Sequence, residues 1–149
     1  MVVCVYRAPN FPYAVISDYL DDLTHKSLRE REQIIILGDL NADYLNNSLS
    51  QTRALKDFIE VNQLEQLITE PTRTTETSST LLDLLITSTP NPFISAKVIK
   101  AGISDHFPIC GVLFTKSDQV KKPKHRIIET RKVDLEANHE YHGIAYHGI

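Results

Sequence analysis

Cysteine is scarce in this sequence. Cys4 and Cys110 are the two in 149 residues, far apart and in apolar surroundings. A disulfide framework needs more of them and a zinc site needs closely spaced pairs, so count and spacing exclude both. Two buried thiols in a reducing compartment are expected instead. A basic excess is also lacking, with a formal net charge of −3 and an isoelectric point near 6.0. Phosphate neutralisation supplies most of the affinity of a nucleic-acid binder, so any such contact must be local or come from other sequence. Residues 34–37, among the longest apolar runs, fall far short of the ~20 residues that cross a bilayer. The opening Met1-Val2-Val3-Cys4-Val5 lacks the basic start and small-residue cleavage site of a secretory leader. It reads as a strand from its first residue, which suggests a chain that begins inside a fold. An intracellular protein, nuclear if functional, is expected.

What is present suits one globular domain. Hydrophobic residues make up 42% and charged residues 23%, an ordinary balance for a soluble domain with a core. Val2 to Tyr6 is β-branched and aromatic and runs into Pro9-Asn10, a strand leading to a loop. From residue 12 to about 28, Ile16, Tyr19, Leu20 and Leu23 recur at helical spacing with Asp18, Asp21, Asp22 and Lys26 between them. Ile34-Ile35-Ile36-Leu37, stopped by Gly38, fits a strand buried on both faces. A second helix carries Leu55, Phe58 and Ile59 on one face, and residues 64–68 are a short strand. Residues 71–79 form a Thr/Ser-rich loop or hairpin, 81–86 are apolar again, and 94–99 and 109–114 read as closing strands.

Four segments place a polar or ionisable group at the end of an apolar strand, where open α/β and sandwich folds display functional side chains. They are Tyr6-Arg7-Ala8-Pro9-Asn10, Gly38-Asp39-Leu40-Asn41-Ala42-Asp43, the lone Asp83 in Leu81-Leu82-Asp83-Leu84-Leu85-Ile86, and Ser104-Asp105-His106. Asp39 and Asn41 are two apart, so in an extended segment their side chains point the same way. Each segment alone also has a structural reading. An Asp after Gly commonly serves as a turn or cap, and Asp83 can pair with a buried Arg or a backbone N–H. A carboxylate in an apolar run nonetheless costs several kcal/mol unless paired. Together, an imidazole, carboxylates, an amide and a phenol are the set that phosphodiester hydrolysis uses.

In order and interval, these four motifs resemble the endonuclease/exonuclease/phosphatase superfamily. Glu70-Pro71-Thr72-Arg73-Thr74-Thr75 followed by Ser78-Ser79-Thr80-Leu81-Leu82-Asp83 is most similar to the endonuclease domain of non-LTR retrotransposon polyproteins. The resemblance covers residues 1 to about 115 and is to the C-terminal half of such a domain. It implies an α+β fold (an α/β sandwich), part of a four-layer architecture with a mixed sheet flanked by helices and the first sheet half missing. It also implies a site. His106 would act at the scissile phosphate as base or protonated stabiliser, and Asp83 would hold its imidazole. Asp39 and Asn41 would orient water and phosphate, and Tyr6 would donate to the developing charge. Asp105 would hold Mg²⁺ or Mn²⁺, while Asn10, Arg7 and Arg73 would contact phosphate or the nucleic-acid backbone. DNA would be the substrate, and the missing N-terminal half or a reverse transcriptase domain of a full-length polyprotein would be partners.

One departure stands out. Full members begin with a half domain bearing an early Asn and a metal-binding Glu, and Glu60, Glu65 and Glu70 are placed wrongly to replace it. An exposed apolar face is therefore expected. Two alternatives stay open: an inactive transposon-derived remnant serving as a binding module or without function, and a phosphatase or phospholipase acting on a small phosphoester. Near Lys116 the composition turns basic and periodicity fades, so residues 116–149 are expected to be a linker and a poorly ordered polar tail. That tail ends in the tandem Tyr141-His142-Gly143-Ile144 and Tyr146-His147-Gly148-Ile149. Its His139, His142 and His147 read as solvated residues rather than a metal cluster.

Overall fold

The structure is a computed structural model that describes residues 1–30, 32–101 and 104–114 and the backbone of 130–133 and 140–143. The chain divides into two compact units, Met1–Thr115 and Lys116–Ile149.

The first unit opens with strand β1 (Val2–Tyr6), helix α1 (Tyr13–Arg29) and strand β2 (Ile35–Asp39). β1 and β2 are parallel, with Val2 opposite Ile35 and Tyr6 opposite Asp39. A parallel pair needs a crossover of a dozen or more residues, and α1 supplies it. Helix α2 (Ser50–Val61) and the short strands β3 (Glu65–Gln66), β4 (Arg73–Thr74) and β5 (Ser79–Thr80) follow. Strand β6 (Asp83–Thr87) then runs antiparallel to β2, placing Asp39 opposite Asp83, and completes a sheet of order β1-β2-β6-β3. β4 and β5 form their own small hairpin, as expected for the Thr/Ser-rich stretch.

Both helices bury one stripe. On α2 it is Thr52, Leu55, Phe58 and Ile59. On α1 the fully buried positions are Leu20, Thr24 and Ser27, whereas Tyr19, expected to face the core, is 49% exposed. The apolar face is thus rotated toward small hydroxyl side chains, which let the helix pack closely; Ser27 Oγ is satisfied by the Glu32 carbonyl at 3.0 Å. Lys26 and Arg29 lie in the last turn, where cations complement the helix dipole. Ile34, Ile36, Leu40, Leu55, Ile68, Leu81, Leu84 and Ile86 fill the core around them.

Strands β7 (Phe93–Val98) and β8 (Ile109–Leu113) pair antiparallel with an irregularity between Phe93 and Ser95. This hairpin covers Leu85. A Cβ added at Gly111 would lie 2.7 Å from Leu85 Cδ1, so only glycine permits the approach. Cross-strand partners project from the same face, so Cys4, Leu37 and Leu85 share the covered face, yet cover fades toward the edge strand. Leu85 is 1% exposed, while Val2 on β1 is 55% and Tyr6 71% exposed. Cys4 is exposed and Cys110 half-buried, so neither thiol has the full burial expected from its apolar neighbours. Cys4 is exposed because it lies on that face at the edge strand, where the cover has faded.

In the second unit, β9 (Thr130–Val133) and β10 (Glu140–Gly143) form an antiparallel pair, Glu140 opposite Val133. The side chains of His139, His142 and His147 lie outside the described residues.

Gly38 closes β2 with φ +137°, and a Cβ there would sit 1.9 Å from the Val5 carbonyl oxygen. Gly38→Ala should destabilise the protein by more than about 2 kcal/mol, read as a lower denaturant midpoint. An unchanged midpoint would contradict the close β1–β2 approach.

Candidate active site

The register of the sheet brings the sequence motifs together. Tyr6 pairs with Asp39, and Asp39 pairs with Asp83. Partners across strands lie on one face, so a phenol and two carboxylates form a row at the end of β1 and β2 and the start of β6. His106 reaches the same place from the loop after β7. Its Nδ1 lies 3.0 Å from Asp83 Oδ2. An ionised carboxylate only accepts, so Nδ1 carries the proton toward Asp83 and Nε2 is left for other work. Asp39, Asp83 and His106 each offer a ligand atom within 4.8 Å of one another.

Asn41 joins the row by a different route from the extended geometry expected. Its φ is +46°, a left-handed conformation that asparagine tolerates better than most residues. The turn lets the Asn41 backbone N–H donate to Asp39 Oδ1 at 2.8 Å and its Nδ2 donate to Oδ2 at 3.2 Å. The same Nδ2 donates to the Arg7 carbonyl at 2.7 Å. Asp39 is thereby oriented by one neighbour through both of its oxygens.

Arg7, expected at a nucleic-acid backbone, is turned inward and is 2% exposed. Its Nε donates to the Leu40 carbonyl at 2.5 Å, Nη1 to Phe11 O at 2.6 Å and Nη2 to Asn41 O at 2.5 Å. The guanidinium also lies 5.9 Å from the Tyr13 ring centroid. Burial lowers the Arg7 pKa from its usual value, opposed by Tyr13 and Asp39, and burial pushes the Tyr13 phenol up. In this chain Arg7 ties the loop after β2 to the loop after β1. Asn10 is exposed in the turn closed by Phe11 N–H on the Ala8 carbonyl at 3.0 Å.

Asp105, expected at the metal, is exposed and accepts from Arg73 Nε at 2.8 Å. That hydrogen bond holds its carboxyl below the usual carboxylate range. It stands outside the Asp39, Asp83 and His106 group. The two carboxylates, rather than the imidazole, suit a hard divalent cation such as Mg²⁺ or Mn²⁺, and each keeps lone pairs beyond its present partners. Residues 1–115 carry nine Lys and Arg against fourteen Asp and Glu, so a phosphate would be gripped by local donors.

Thr72 was missed by sequence reasoning. It is fully buried, and its hydroxyl accepts from the backbone N–H of Leu82 at 3.0 Å and of Asp83 at 2.9 Å. Its carbonyl accepts from Phe107 N–H at 2.7 Å. One residue thus touches the backbone beside both members of the Asp83–His106 pair. The available signal was a hydroxyl directly after Pro71 within the retrotransposon-like stretch. Thr72→Val should strand one buried and one part-buried donor and cost about 1–3 kcal/mol, with Thr72→Ser closer to wild type. Equal stabilities of the two variants in urea unfolding would argue against this role.

Comparison with known proteins bears on the fold and the family. No curated protein matches the chain. Among solved structures it is similar to the endonuclease domain of TRAS1, a telomere-specific non-LTR retrotransposon, with 18% identity and a TM-score of 0.59. That match covers 70% of this chain and 51% of the other, so the chain spans about half of that structure's length. An endonuclease/exonuclease/phosphatase family protein from Leptotrichia buccalis C-1013-b matches at 18% identity and a TM-score of 0.45, over 61% of this chain and 40% of that one. A family model described as endonuclease-reverse transcriptase matches residues 1–110. Over most of its first unit, then, this chain belongs to the endonuclease-reverse transcriptase family, within the endonuclease/exonuclease/phosphatase group.

Proposed function

We propose that the site serves metal-dependent hydrolysis of phosphodiester bonds in DNA, as part of a retrotransposon-type endonuclease. The observation that carries this reading is the His106 Nδ1–Asp83 Oδ2 contact of 3.0 Å, made beside Asp39. Asp83 fixes the tautomer and orientation of the imidazole, leaving Nε2 to exchange a proton or stabilise charge at the phosphate. Asp39, held by Asn41, orients the attacking water, and Asn41 adds its amide to the polar lining. The Tyr6 phenol, 71% exposed in the same row, donates to phosphoryl oxygens as charge builds on them. A Mg²⁺ or Mn²⁺ ion held by Asp39 and Asp83 would supply charge neutralisation at the phosphoryl group. The similarity to the TRAS1 endonuclease supports DNA as substrate and a polyprotein with a reverse transcriptase as the context. A nuclear location goes with that context.

The test is nicking of supercoiled plasmid with Mg²⁺, with and without chelator. His106→Ala should lower the rate by roughly 10²-fold or more, and chelation should stop it. Nicking that survives the substitution would remove His106 from the mechanism. Turnover of a simple aryl phosphate without nicking would instead favour the small-phosphoester reading.

A further inference from the structure

Among the described residues, the main chain around His106 pairs with β4, and Arg73 is at the centre of that pairing. The backbone of Arg73 forms an antiparallel bridge with His106. On either side, Thr74 N–H donates to the Asp105 carbonyl at 3.0 Å and Phe107 N–H donates to the Thr72 carbonyl at 2.7 Å. The Arg73 side chain then returns to the same segment and donates through Nε to Asp105 Oδ2 at 2.8 Å. Ser104 closes the loop locally, its hydroxyl donating to the His106 carbonyl at 2.9 Å and accepting the His106 N–H at 3.1 Å. β4 therefore grips the residue before His106 by main chain and side chain at once.

This double grip matters because of what His106 must do. Its ring is 34% exposed and meets Asp83, 23 residues away in sequence, through a single atom pair. One hydrogen bond leaves the ring free to swing about its own torsions, and the loop's ladder bonds set only the backbone position. The side-chain tie from Arg73 to Asp105 limits the backbone torsions directly ahead of His106. Reactive geometry tolerates little error, since a displacement of about 1 Å can cost about 10²-fold in rate.

We propose that Arg73 is a positioning residue that holds His106 on Asp83 through Asp105, rather than a direct contact to the nucleic-acid backbone. The activity part rests on the hydrolysis proposed above; the structural part does not. The test is NMR of the imidazole nitrogens of the full chain, with His106 signals assigned by their loss in His106→Gln. Wild type should show a protonated Nδ1 protected by Asp83, and Asp83→Asn should alter that signature. Arg73→Ala should shift His106 toward the Nε2-protonated form of a free imidazole, Arg73→Lys should retain part of the wild-type signature, and Lys97→Ala, away from the loop, should leave it unchanged. In nicking assays Arg73→Ala should lower kcat roughly tenfold with KM within about twofold.

A wild-type His106 signature in Arg73→Ala would overturn the proposal. So would a raised KM with that signature intact, which would mark Arg73 as a substrate contact. If the wild-type chain nicks nothing, the hydrolysis reading has failed, and the imidazole signature alone decides for or against Arg73.

Discussion

The alignment of three strand ends is the constraint on which the site depends. Because Tyr6, Asp39 and Asp83 occupy one cross-strand row, a phenol and two carboxylates face the same space without any loop having to place them. A slip of one residue in either pairing would send a side chain to the opposite face. Gly38 keeps β1 and β2 close directly before the row, and Leu85, buried under the β7–β8 hairpin, anchors β6 directly after it. The apolar register and the polar row are therefore one specification.

Around that row, polar side chains are used to fix other polar side chains. Arg7 spends its guanidinium on the Leu40, Phe11 and Asn41 carbonyls, and Asn41 answers through the Arg7 carbonyl. Thr72 holds the backbone at Asp83. A buried guanidinium with three acceptors is satisfied where it is and would lose those bonds on turning outward. Arg7 and Arg73 both act on the protein itself, in keeping with the acidic balance of residues 1–115.

Much of this was legible in the sequence, for identifiable reasons. The strand 34–37, the two helices and the loop or hairpin at 71–79 announce themselves through apolar runs, periodicity and turn chemistry. The four motifs could be read as one site because their order and spacing resemble a known family. What stayed hidden depends on contacts between residues far apart in the chain. The inward turn of Arg7 requires carbonyls 33 and 34 residues away. The left-handed turn at Asn41 replaces the extended geometry that spacing alone implies, and the rotation of α1 toward Thr24 and Ser27 goes against hydropathy. The hydroxyl of Thr72 gives no periodic signal at all.

The row also bears on how the protein folds. Its members come from segments joined by long loops and a parallel crossover, and pairings of that kind form slowly because chain closure precedes any gain in contacts. A partly folded chain that holds α1 and α2 but lacks the central sheet has no row, no Asp83–His106 contact and no grip from Arg7. Assembly of the chemistry is thus tied to long-range strand pairings, and the row is complete only when those pairings are made.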